Sequence, residues 1–304
     1  MLSYHHLTFV VISLATLGFG IAGSVLARAD PIRRKEGIAR GALYFGFATI
    51  LAFLFVSLLD YDPLNIMYDW HEVARLLISQ TVLAVPFFFA GTCLVKIISV
   101  YQEDIHRLYF ADLIGASIGS LASVFGIWIM GATNTILFVG FVGALVGLLL
   151  SHMAAWKERV PHVFGVVLLG LFWVGGLWFD PYIVHACRGK ELASFVNRQA
   201  GTALLESSKW HMVARVDTTK SLDSPIPWFG GNLSSRYIND RCEYRLITQD
   251  GGAITGLLRS DGDLRKMEYL DGYLQALPYS LAHKPNVMVI GVGGGVDILI
   301  ALIP

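Results

Sequence analysis

Six apolar stretches, near residues 8–27, 41–59, 76–98, 108–131, 134–151 and 161–179, constrain the fold of this chain more than any other feature. Each is close to the roughly 20 residues that a helix needs to cross a hydrocarbon core about 30 Å thick. Hydrophobic residues make up 55% of the 304 and charged ones 15%, whereas soluble domains carry about 25% charged residues. The mean hydropathy is +0.58. The first stretch is too long, and is followed by too many others, to be a cleaved signal peptide. Residues 1–180 therefore read as a transmembrane helical domain, with the lipid bilayer as its partner. The formal net charge is zero, so no basic footprint points to nucleic acid. Cys93, Cys187 and Cys242 form no CxxC pair and offer neither a zinc site nor a disulfide framework.

The fourth stretch, "RLYFADLIGASIGSLASVFG", holds the one unusual intramembrane residue. An ionised carboxylate such as that of Asp112 costs at least about 2.5 kcal/mol at the bilayer centre. Asp112 is a candidate substrate or proton contact, or else an interfacial carboxylate that pairs with Arg107 or caps a neighbouring helix. Ala111, Gly115, Gly119 and Ser123 recur every four positions, a small-residue stripe suited to close helix contact and to a homo-oligomer. Pro86 is a candidate kink. Tyr61, Tyr68 and Trp70, between the second and third stretches, suit the membrane interface.

Loops 1, 3 and 5 carry Arg28, Arg33, Arg34, Lys35, Arg40, Lys96, Arg107, Lys157 and Arg159. The positive-inside rule places these loops in the cytoplasm, with the N-terminus and the C-terminal region outside. A nucleotide cofactor argues for the opposite, so the side stays open.

Beyond a connector at 181–205 the chain reads as soluble protein. "WHMVARVDTT" (210–219) alternates as a half-buried strand does, and "LDSPIPWFGGNLSS" (222–235) is loop. "YRLITQDGGAITGLL" (244–258) predicts two strands turning at Asp250-Gly251-Gly252. These make residues 206–262 a β-rich module. Leu264, Met267, Leu270, Leu274 and Leu277 then fall at helical spacing, with Pro278 near the helix end.

Val287–Ile290 reads as a buried parallel strand, followed by Gly291, Gly293, Gly294 and Gly295 and by "VDILIAL", which begins a helix. Such a loop uses glycine for positive φ and for close backbone approach, and the helix N-terminus offers free N–H groups to an anionic or polar ligand. Asp297 in the first helical turn is a cap or a ligand contact. The sequence holds no Walker motif, no Ser-His-Asp arrangement and no metal-ligand spacing.

The order of these elements resembles the membrane-bound spermidine-synthase-like (polyamine aminopropyltransferase-like) proteins. The likeness rests on "LYFADLIGASIGSL", a strand-rich module, a helix ending "ALPYSL", and "VMVIGVGGGVDILIAL". It implies about six membrane helices, a small β-module and a Rossmann-like, methyltransferase-type α/β domain that starts at 263–304. It also implies decarboxylated S-adenosylmethionine or S-adenosylmethionine as co-substrate and an amine as acceptor, with no metal. The implied cofactor contacts are Gly291, Gly293, Gly294, Gly295, Asp297 and Asp250, the last matching the family's Asp-Gly pair. Departures are clear. The family's loop aspartate position falls on Gly294, the glutamine expected after the Asp-Gly pair is Ile254, and Leu270, Gly272 and Ala276 stand where soluble synthases show Tyr, Glu and His.

A Rossmann-like crevice needs several strands around the first. The expectation is therefore a fragment of a longer protein of the bacterial inner (plasma) membrane, inactive alone, with its catalytic residues beyond Pro304. Two alternatives stay open: a non-catalytic transport or sensor module, and an S-adenosylmethionine-dependent methyltransferase.

Overall fold

The computed structural model describes residues 8–28, 36–59, 62, 64–151, 156–179, 190–193, 205–226, 233–237, 239–281 and 286–303. Tyr61, Cys187, the loop residues Arg33, Arg34 and Lys35, and nearly all of the 181–205 connector lie outside the described residues. The chain divides into two compact units, residues 1–189 with 210–212, and residues 190–209 with 213–304.

The first unit is helical: α1 (Thr8–Leu26), α2 (Glu36–Leu58), α3 (Trp70–Val100), α4 (Ile105–Leu150) and α5 (Trp156–Phe179). Four helical stretches, Gly37–Leu58, Trp70–Val100, Gln102–Leu150 and Trp156–Trp178, are long and apolar enough to cross a membrane. The apolar part of α1, Val10–Leu26, is shorter. Pro86 lies inside α3, which runs through it without interruption.

The expected spans 108–131 and 134–151 share α4, whose 46 residues would reach about 69 Å if straight, more than twice a bilayer core. Gly131 breaks it, with φ 78° and ψ 164°, a backbone state that glycine adopts without a Cβ penalty. A Cβ on Gly126 would stand 3.0 Å from Thr135 Cγ2, although nine residues of straight helix span about 13 Å. The chain therefore turns back at Gly131. Side chains secure the break: Asn134 Nδ2 donates to Met130 O at 3.0 Å and Thr135 Oγ1 to Gly131 O at 2.7 Å.

The second arm of α4 packs on α2 through glycines. A Cβ on Gly46 would meet Gly140 O at 2.5 Å and Ala144 N at 3.0 Å, and one on Gly143 would meet Phe45 Cδ1 at 2.7 Å. The helices thus cross backbone to backbone, and Leu43, Ile50, Leu137, Ala144 and Leu169 fill the core beside the crossing. This small-residue contact is separate from the Ala111–Ser123 stripe singled out in the sequence.

The second unit is built on a five-stranded antiparallel sheet: β1 (Leu205–Trp210), β2 (Arg215–Thr219), β3 (Leu222–Pro225), β4 (Arg241–Gln249) and β5 (Gly252–Leu258). β4 is its axis, pairing with β2 (Val216 opposite Gln249), β3 (Leu222 opposite Tyr244) and β5 (Ile247 opposite Thr255). The hairpin turns at Asp250 and Gly251, both at positive φ (53° and 72°), the primed turn that matches strand twist. Of the stretch 210–219 expected as one strand, β2 takes only Arg215–Thr219, while Trp210 ends β1 and 211–214 have no strand conformation. The buried face of β2 is polar: Arg215, Asp217 and Thr219 are inside while Val216 is 37% exposed. β3 occupies a stretch expected to be loop, because β4 supplies its hydrogen-bond partners.

Two expectations are corrected. The continuous helix expected over 262–282 is a broken run: 3₁₀ turns at Leu264–Gly272 and Leu274–Ala276, then α6 (Leu277–Leu281). Tyr273 is extended at φ −85°, ψ 146° because it bridges to Leu233, and Pro278 sits near the start of α6, where its missing N–H costs nothing. Met267 and Leu270 are buried, whereas Leu274 and Leu277 are exposed. The strand expected at Val287–Ile290 has no strand conformation, and Met288 and Ile290 are 82% and 85% exposed. A strand needs a neighbour for its backbone groups, and among the described residues none pairs with this segment. The short helix α7 (Val296–Leu302) follows. Val296 and Ile300 join Tyr244, Leu246, Met267, Leu270 and Tyr273 in the core of this unit.

Candidate functional site

The glycine loop adopts the backbone that its composition implies. Gly291, Gly293 and Gly295 have φ of 77°, 54° and 85°, and Gly295 is the N-cap of α7 with no side-chain capping bond. Within the loop, two roles separate. Gly293 and Gly294 are packed against β5. The Gly294 N–H donates to Thr255 Oγ1 at 3.1 Å, a Cβ on Gly293 would stand 3.1 Å from the same oxygen, and one on Gly294 would run into the Gly256 carbonyl. Gly291 and Gly295 instead border open space, with no described atom within 4 Å of their Cβ positions. They leave room for a ligand to approach the backbone.

Asp297 lies exposed in the first turn of α7. Among the described residues no hydrogen bond or ion pair engages it, so its carboxylate is directed neither to the cap nor to a cation.

Asp250 is structurally committed. Its Oδ1 accepts from the Arg215 N–H at 2.8 Å, its own N–H donates to Arg215 O at 2.7 Å, and its carbonyl accepts from the buried Lys190 Nζ at 2.5 Å. It sits at the hairpin end of β5, whereas the glycine loop packs at Thr255 and Gly256. About 10 Å of strand lies between, at about 3.4 Å per residue. The structure therefore does not bring Asp250 to the loop.

A cleft of ≈ 560 Å³ opens on the far end of α7, lined by Ser234, Asp271, Tyr279, Ser280, Ile300 and Ile303, with Gly272 and Ala276 in its wall. Leu270 is fully buried in the core instead. Sequence reading missed the cleft because the Leu233–Tyr273 bridge that shapes it joins residues forty apart.

The nearby thiol and phenols are not poised for nucleophilic work. Burial pushes Cys242, Tyr269 and Tyr273 above their ordinary pKa values, which keeps them protonated at neutral pH. Under β2, the buried Asp217 carboxylate accepts from Arg215 Nε at 2.8 Å and Ser208 Oγ at 2.5 Å, a structural network inside the sheet. Among the described residues no group of His, Cys, Asp and Glu side chains could hold a metal ion.

In the first unit, Asp112 is exposed on the first arm of α4, and among the described residues nothing pairs with it. Arg107, its expected partner, reaches Asp104 instead at 3.3 Å. Gly115 and Gly119 on the same side also meet no described atom within 4 Å.

No family model, no curated protein and no solved structure matches this chain.

Proposed function

We propose that the chain is an integral membrane protein of the spermidine-synthase-like kind, crossing the bilayer six times. Its second unit would hold an S-adenosyl-type nucleotide, decarboxylated or not, at Gly291–Asp297 for aminopropyl transfer to an amine. The bacterial inner (plasma) membrane is the proposed location. One observation carries the reading: Gly291 and Gly295 combine positive φ with open space at the head of α7, so a ligand can reach backbone there. The transfer would be a displacement at a carbon activated by the sulfonium, for which the protein mainly aligns nucleophile and electrophile.

These 304 residues bind without turning the nucleotide over. Between 291 and 299, Asp297 is the one ionisable side chain, so the loop lacks a general base paired with an acceptor site. Equilibrium dialysis of labelled S-adenosylmethionine against the purified chain in nanodiscs tests this. Binding at ~1 mM, about −4 kcal/mol, that weakens in Gly295→Val is expected, with no product from putrescine. Absence of saturable binding would remove the nucleotide reading, and micromolar binding with product would remove the claim of inactivity.

A sensor or transport module that holds a ligand without chemistry is the second reading. It is favoured by Gly272 and Ala276 lining the cleft where soluble synthases carry Glu and His. We further propose that a second copy covers the Ala111, Gly115, Gly119 and Ser123 face, because a carboxylate such as that of Asp112 is costly against lipid. Dimer capture by cross-linking in membranes, lost in Gly115→Leu, is the expected result.

A further inference from the structure

The α2–α3 face of the first unit has two features that the proposed function does not use. The first is a groove of ≈ 600 Å³ between the helices, bordered by Tyr44, Phe47, Leu51, Phe55, Val85 and Phe89. Its floor includes the small residues Ala48 and Ala52, and the Tyr44 hydroxyl is its one polar side-chain group. From Tyr44 to Phe55 is eleven residues of α2, about 16 Å at ~1.5 Å per residue. One leaflet of a hydrocarbon core about 30 Å thick is about 15 Å deep. The groove thus has the length and polarity of a single acyl chain, and it occupies the half of α2 nearest Leu58.

The second feature stands at that same end. Between α2 and α3, residues 64–69 form one helical turn, with Tyr68 N–H and Asp69 N–H both donating to Asn65 O at 2.9 Å. Leu64, Met67 and Tyr68 therefore share a face by their i, i+3, i+4 spacing, and they are 59%, 89% and 87% exposed, with Trp70 beside them at 70%. The other side is polar and tied down. Asn65 Nδ2 donates to Asp62 Oδ2 at 3.0 Å, the Asp62 N–H to Glu72 Oε2 at 2.8 Å, and Arg75 Nη1 to Glu72 Oε1 at 2.7 Å. Asp69 caps α3 by accepting from the His71 N–H at 2.9 Å. An amphipathic turn carrying Met, Tyr and Trp next to a span end is what the lipid headgroup layer accommodates.

We propose that this face binds one zwitterionic, amine-headed phospholipid, with an acyl chain in the α2–α3 groove and the headgroup at the turn. The charges choose the headgroup. Asp62, Asp69 and Glu72 outnumber Arg75 there, so an anionic head is repelled. A zwitterion can set its ammonium toward Oδ2 of Asp69, whose Oδ1 already holds His71 Nδ1 at 2.9 Å, and its phosphate toward Arg75; the two side chains are 47% and 44% exposed.

Native mass spectrometry on the whole purified chain, delipidated and exchanged with phosphatidylethanolamine or phosphatidylglycerol, tests this. Wild type should retain one phosphatidylethanolamine under activation that strips phosphatidylglycerol, a preference of about tenfold, or 1.4 kcal/mol. Ala48→Phe, which fills the groove, should lose that adduct, and Asp62→Asn with Asp69→Asn should make the two lipids equal. Equal retention of both lipids by wild type would overturn the headgroup assignment without any variant having to fold. An unchanged adduct on Ala48→Phe would overturn the groove.

Discussion

The two arms of α4 have similar compositions and opposite surroundings. Both are apolar and both carry small residues at helical spacing. The second arm sets Gly140, Gly143 and Gly147 against α2 so closely that a methyl group at any of them would strike a backbone or side-chain atom of that helix. The first arm leaves Gly115 and Gly119 in open space, and residues 109–125 are exposed throughout. Small-residue spacing therefore marks a capacity for close approach, and the complementary glycine on another helix decides whether it is used. Here Gly46 supplies it. The same distinction recurs in the glycine loop, where Gly294 is pressed on β5 and Gly295 faces open space.

The largest effect should come from filling the used crossing. Gly143→Leu forces a side chain into Phe45 and the Gly46 backbone, and should cost about 3 kcal/mol, read as a fall in the thermal unfolding midpoint of the first unit in detergent. Gly294→Ala, which meets the Gly256 carbonyl, should cost about 1–3 kcal/mol and appear as faster amide exchange along β5. At Gly295 only the left-handed backbone resists substitution. Gly295→Ala should cost about 1–2 kcal/mol in unfolding of the second unit while β5 exchange stays unchanged. Smallest is Gly115→Leu, expected within about 0.5 kcal/mol for the detergent-solubilised monomer, since nothing stands where the new side chain goes. A destabilisation equal to that of Gly143→Leu would erase the contrast.

What could be read from the sequence was what is local. Apolar runs gave the long helices, Asp250-Gly251 gave the hairpin, and alternate glycines gave the positive-φ loop. What failed depended on a partner distant in the chain. Leucine spacing over 264–277 suggests one helix, yet Tyr273 is held extended by Leu233. Leu222–Pro225 is a strand because β4 lies beside it. Val287–Ile290 has strand composition but no neighbour to pair with. The α2–α4 crossing needs Gly46 and Gly140 together, and neither is conspicuous alone. Of the site residues, the glycines behave as their type implies, whereas Asp250 is taken up by Arg215 and Lys190, contacts that no spacing announces.

The contrast between the two arms of α4 rests on the turn at Gly131, which sends one arm into the bundle and leaves the other outside. Cysteines at Gly126 and Thr135, in a chain whose native cysteines are replaced, test it directly. The Cβ of residue 126 would lie 3.7 Å from Cβ of residue 135, within the span of a disulfide. Rapid intramolecular oxidation is the expected result. On a continuous helix the two positions stand about 13 Å apart, and failure to form the bond within one chain would contradict the turn.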